Sequence, residues 1–135
     1  MTTRKALGED STHSIIGAFY AVYNALGFGL LESVYSAALQ HELRARGHWV
    51  DREFWVDVVY RGEPVAGQRI DLLVDRQVVL EVKASEELPR FARRQLLSYL
   101  TCTHLELGLI LHFGPEPKFY RMVSTNAGPR EPGPR

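Results

Sequence analysis

The chain has 135 residues, enough for one domain with a substantial core, and its 45% hydrophobic and 24% charged residues are ordinary for a soluble globular protein. A formal net charge of zero gives no overall attraction to nucleic acid or to an anionic membrane, and leaves room only for a local basic patch. The single cysteine, Cys102, excludes an intrachain disulfide and suits a reducing, cytoplasmic compartment; the first ten residues lack the apolar core of a signal peptide, and no apolar run approaches the roughly 18 residues of a membrane span.

In chain order, residues 1–10 are polar and expected to be flexible, and 11–125 are expected to form the domain. A first helix is predicted from Ser11 or Thr12, as caps, through Ile15, Ile16, Phe19, Val22, Tyr23 and Leu26 at helical spacing. Gly27–Gly29 stops it, and a second helix carries Leu31, Val34, Tyr35, Ala38, Leu39 and Leu43 before Gly47. Strands are predicted over 54–60, 68–74 and 78–84, with turns at 61–64 and 75–77. A third helix follows Pro89, then a buried-looking strand over 105–113 and an edge strand over 118–123. The tail 126–135, rich in Pro, Gly and Arg, is expected to be disordered. The order is ααβββαβ(β), an α/β arrangement.

The second and third strands carry the informative pattern. Ile70, Leu72, Val74, Val78, Leu80 and Val82 share one parity and should face a core, while Asp71, Glu81 and Lys83 share the other. A three-residue loop at Asp75–Gln77 would set Asp71 opposite Glu81, whereas a two-residue loop would send the carboxylates to opposite faces. Two carboxylates on one face suit Mg²⁺, with the Val82 carbonyl able to join them, and Lys83 beside them could orient a water and offset charge on a phosphate. The competing reading is the wet side of a hairpin, with ion pairs contributing roughly 0–1 kcal/mol.

The spacing of Ile70–Asp71 with Glu81–Val82–Lys83 resembles the PD-(D/E)XK nuclease superfamily. Within it, Gly29, Glu32 and Tyr35 in GLLESVY resemble the signature of the GxxExxY proteins, and Gln95 with Tyr99 resembles the glutamine–tyrosine element on the helix after the catalytic strand. The resemblance spans residues 10–123. It implies a restriction-endonuclease-like fold, a mixed β-sheet flanked by helices, and a Mg²⁺- or Mn²⁺-dependent nuclease acting on DNA or RNA. It further implies Asp71, Glu81 and Glu32 as metal ligands, Lys83 as the catalytic lysine, and Gln95 and Tyr99 as catalytic-site residues. The chain departs from the family pattern at Tyr23, Phe28, Ile70 and Ala92.

Other residues carry weaker readings. Glu32 could be a solvated helix-start glutamate favoured by the dipole, and Gln95 with Tyr99 a polar helix flank. Arg90, Arg93 and Arg94 form a basic cluster beside Gln95 that could contact phosphates or simply be solvated. The five histidines lack metal-ligand spacing; His112 could approach the site, with a structural role favoured. Cys102 reads as a packed small residue, and Trp49 and Trp55 as core or interface packing ahead of base stacking. Alternatives to an enzyme are an accessory module that binds nucleic acid or protein without catalysis, and a homodimer formed through the edge around Phe119–Val123. No membrane partner is expected.

Overall fold

A computed structural model of the chain describes residues 4–125, with side chains from residue 11. Two helices come first, α1 (Arg4–Leu26) and α2 (Glu32–Ala45), then strands β1 (Val50–Tyr60), β2 (Glu63–Val74) and β3 (Val78–Lys83), helix α3 (Ala92–Thr103), and strands β4 (Leu107–Phe113) and β5 (Pro117–Val123). The predicted element order is the observed one. Helix α1 begins at Arg4, so Ser11 and Thr12 lie inside it and do not cap it. The tail 126–135 lies outside the described residues.

The five strands form one sheet in sequence order. All neighbours are antiparallel except β3 and β4, which run parallel because α3 carries the chain back across the sheet. Both faces of the sheet are covered. Leu72, Val74, Val78, Leu80 and Val82 pack with Ile15, Phe19, Tyr35, Leu39 and Leu43 of the helical hairpin. Leu73, Val79 and Ile110 pack under α3 with Leu96, Tyr99 and Leu100. The second face of the β2–β3 pair is therefore not the wet side of a hairpin. Parallel pairing explains the near-continuous apolar runs of β3 and β4, since such strands are usually buried on both sides.

One expectation fails in an informative way. Ile70 does not share a face with Leu72 and Val74; it packs in the α3 cluster with Val56. Alternation breaks at Asp71, and in the facing strand at Glu53, a non-glycine residue at φ 56°. Pairing runs Arg52 with Leu72 and Phe54 with Ile70, and skips Glu53 and Asp71 between them. The β1–β2 ribbon rolls over at that point, as strongly twisted two-stranded ribbons do. Beyond it β2 has no third strand beside it, since its pairs with β3 cover only Leu72–Val74. Val56, Gln68 and Ile70 still pack on α3, and farther out the ribbon is mostly exposed.

Candidate functional site

The β2–β3 turn has the predicted three residues. Asp75 and Arg76 take left-handed conformations, at φ 53° and 54°, and Gln77 N–H closes on the Val74 carbonyl at 2.9 Å. Tertiary bonds hold these unfavourable conformations in place. The Asp75 amide donates to the Trp49 carbonyl at 2.7 Å, and the Asp75 carboxylate accepts from the Trp49 amide at 2.9 Å. The register Val74–Val78, Leu73–Val79, Leu72–Leu80 follows, and its next step is Asp71 with Glu81. There the main-chain ladder stops and a side chain replaces it: the Val82 amide donates to Asp71 Oδ2 at 2.8 Å.

The two strands open around a polar cluster. Glu81 is only 2% exposed, and its Oε1 is buried without a hydrogen-bond partner. Its other oxygen lies 3.7 Å from Lys83 Nζ, a long contact. Burial, reinforced by the nearby Asp71 charge, pushes the Glu81 carboxyl from the ordinary 4.5 up to about 8. Asp71 is also raised, chiefly by burial, with the Val82 amide pulling the other way. Lys83 Nζ donates to Gln95 Oε1 at 2.9 Å, and Gln95 Nε2 donates to the Tyr99 hydroxyl at 2.9 Å. An ammonium can only donate, so it fixes which way the Gln95 amide faces, and Tyr99 then has its own proton to give onward. Tyr99 is raised, first by burial and then by Glu81. The four-residue separation puts Gln95 and Tyr99 on one face of α3.

Glu32 enters from the other side, as the first residue of α2. The Gly27–Leu31 turn that aims it is pinned by Tyr35, whose hydroxyl donates to the Gly27 carbonyl and accepts from the Leu30 amide. Tyr35 is fully buried, its ring stacked on Phe113 at 4.0 Å. Gly29 sits at φ 110°, a backbone that a side chain would strain. The Gly–x–x–Glu–x–x–Tyr spacing is thus a turn, a presented acid and an anchor. Glu32 is exposed, yet its carboxyl is raised, first by partial loss of water; Lys83 lowers it and Asp71 raises it. It does not join the two strand carboxylates in a tight ligand set. Among the described residues no group of three or more His, Cys, Asp or Glu is placed to hold a metal ion. Two carboxylates, one with an orphaned buried oxygen, nevertheless fit Mg²⁺, which accepts one or two carboxylates and keeps waters in its other positions.

Arg90, Arg93 and Arg94 are exposed around the start of α3. Arg90 and Arg94 lie over the Phe91 ring at 5.4 and 5.1 Å, and Arg93 over Tyr120 at 4.7 Å. They are a stacked cationic surface one turn from Gln95.

Arg52 and Arg69 gain a place that the sequence did not signal, and His112, read as able to approach the site, stands at it. His112, buried at 4%, pairs with Lys83 across the parallel β3–β4 register. Its Nε2 donates to the Ser85 carbonyl at 2.8 Å, tying down the chain just after Lys83, while Nδ1 is buried without a partner. Arg52 donates from Nη2 to the Ser33 carbonyl at 3.2 Å, at the start of α2, and its buried Nε has no partner. Arg69, two residues before Asp71, joins Arg52 in acting on the Asp71 charge. The predicted first strand began too late to include Arg52, and a parallel register cannot be counted from a loop length. Trp49 and Trp55, expected in packing, are 62% and 66% exposed.

A second polar relay lies elsewhere. His48 Nδ1 is 2.7 Å from Asp75 Oδ2, and His48 Nε2 is 2.7 Å from Ser14 Oγ. This is the hydrogen-bond order of a serine-hydrolase triad, but Ser14 sits within α1, where the backbone amides are committed to the helix ladder and cannot form an oxyanion hole. An apolar concavity of about 420 Å³, lined by Phe54, Trp55, Leu73, Cys102 and Leu105, holds none of the predicted catalytic residues.

Residues 9–122 match the family model of the PD-(D/E)XK nuclease superfamily. No curated protein matches the chain. Among solved structures, the crystal structure of SSO0001 is similar in fold, with a TM-score of 0.53 at 16% identity over 68% of this chain and 50% of that one. The chain therefore spans about half the length of that relative. No helix among the described residues is long and apolar enough to cross a membrane.

Proposed function

Because the chain belongs to the PD-(D/E)XK nuclease superfamily, we propose that it hydrolyses phosphodiester bonds in DNA or RNA with the aid of Mg²⁺ or Mn²⁺. Within the superfamily we assign it to the GxxExxY proteins on Gly29, Glu32 and Tyr35. The observation that carries the nuclease reading is Glu81: a buried acid with one unpaired oxygen, beside a second acid and a lysine. A buried carboxylate without full compensation is costly to a fold, and such a cost is commonly kept where it serves chemistry.

Asp71 and Glu81 would hold the cation, with Glu32 as a third acid across the cleft. When bound, the cation supplies an activated water and stabilises charge on the phosphate. Lys83, held at Nζ by Gln95, directs its remaining N–H groups at the attacked phosphate and offsets the negative charge that grows there. Tyr99 holds Gln95, and through it the lysine. Arg90, Arg93 and Arg94 supply positive charge for flanking phosphates.

The test is cleavage of labelled single- and double-stranded DNA and RNA with Mg²⁺, Mn²⁺ or EDTA, comparing wild type with Lys83→Ala. Metal-dependent cleavage that drops about a hundredfold or more in the variant is expected. A folded wild type that cuts nothing with either metal rejects the enzyme and leaves a non-catalytic accessory module.

A further inference from the structure

The outer half of the β1–β2 ribbon carries a surface that the nuclease reading does not use. The Cε3–Cζ3 edge of the Trp55 indole lies against Gly67, where a Cβ would come within 2.8 Å of it. Away from that edge Trp55 is largely open, at 66% exposure. Trp55 pairs directly across the ribbon with Arg69, and directly opposed residues project on the same side. Arg69 is exposed and lies two residues, about 7 Å of strand, from Asp71. Arg52, with its unpaired Nε, lies on the inward side, under the start of α2. From Glu32 outward, the ribbon thus presents two guanidinium groups and then an exposed indole braced at one edge by Gly67. Asp57, which faces Gly67, carries the opposite charge beyond the indole, so the path favourable to a phosphate backbone runs on the arginine side.

We propose that this chain engages an unpaired nucleic-acid strand, with one base stacked on Trp55 and the adjoining phosphate held by Arg69. An exposed indole can take any base, because every base offers a π-face, but the base must be free of its neighbours in a duplex. The distance from Arg69 to Asp71 is on the scale of one nucleotide step, so the stacked base adjoins the phosphate at the carboxylates. That placement of the cut phosphate rests on the nuclease reading above; the stacking itself does not.

The test separates the two. Binding is measured in EDTA, without cleavage, to labelled single-stranded oligonucleotides of DNA and RNA and to the matching duplexes. Trp49→Phe protein is used throughout, so that Trp55 alone reports by fluorescence. Single strands should quench Trp55. Trp55→Ala should weaken their binding about tenfold and Trp55→Phe much less, with duplex binding unchanged. Arg69→Ala should lower the salt dependence of single-strand binding by about 0.7 in log–log slope. Thermal unfolding of each variant checks that the exposed substitution leaves the fold intact. Unquenched Trp55, or equal single-strand affinity of Trp55→Ala and its parent, overturns the proposal and leaves the indole as a cover for the Gly67 backbone. If Lys83-dependent cleavage survives that result, the nuclease reading stands alone. If Trp55-dependent binding occurs and no metal supports cleavage, the platform stands and the nuclease reading falls.

Discussion

Ser14, His48 and Asp75 form one polar relay in this fold, and Lys83, Gln95 and Tyr99 form the other. By hydrogen-bond order alone the first looks more like catalysis. Its groups are mutually satisfied, however: the Asp75 carboxylate accepts from His48 and from the Trp49 amide, and His48 accepts from Ser14. It ties α1 to the chain entering β1 and to the β2–β3 turn, which is structural work. The second relay stands beside an acid that is not satisfied. Glu81 keeps a buried oxygen without a partner and a carboxyl raised to about 8. Unbalanced electrostatics, more than the presence of a familiar constellation, separates a site from a strut.

Glu81→Gln breaks this comparison most sharply, because activity and stability should move in opposite directions. Metal-dependent cleavage should fall about 10³-fold, as seen in initial rates with Mg²⁺ or Mn²⁺. The metal-free protein should become more stable at alkaline pH. Between about pH 4.5 and 8 the folded state holds a proton on Glu81 that the unfolded state has released. Stability from this group is therefore fully present below pH 4.5 and is lost as pH rises through 8. Chemical denaturation of wild type and variant across that range should show the curves separating, the variant ahead by ~2–4 kcal/mol at pH 9. Parallel curves would mean that Glu81 is not electrostatically strained.

Gln95→Leu tests the second relay at its middle. Lys83 keeps its charge but loses its positioning partner, so cleavage should fall about tenfold with global stability little changed. An unaffected rate would show that Gln95 is only a helix flank.

Ser14→Ala is the smallest expected effect and the control for the first relay. It should cost ~1 kcal/mol in denaturant unfolding and leave the cleavage rate as it was. A loss of activity without a loss of stability would give the Ser14–His48–Asp75 relay a chemical role.

Much of this was readable from the chain. Apolar spacing marks the helices, and the odd loop at Asp75–Gln77 sets the register from Val74–Val78 to Leu72–Leu80, whose next step is Asp71 with Glu81. Gln95 and Tyr99 met because four residues make roughly one helical turn. Ile70 lies on the face opposite to the one alternation predicts, because that rule assumes a regular strand and the ribbon rolls over at Glu53 and Asp71. Helix α1 starts ahead of the predicted position, because Ser11 and Thr12 are good caps by type, and type does not prevent a helix from running through them.

The order of elements and the antiparallel register of β2 and β3 are legible in the chain alone, because each depends on local periodicity or on the length of a short turn. Long-range contacts alone bury Glu81, set His112 beside Lys83, bring Arg52 to α2 and seat the edge of the Trp55 indole on Gly67. Those facts come from α3 closing over the second face of the sheet, from a parallel pairing across a long crossover, and from a ribbon that outruns its neighbouring strand. Each is a contact between segments distant in the chain, and residue periodicity records which side of an element is apolar without recording what covers it.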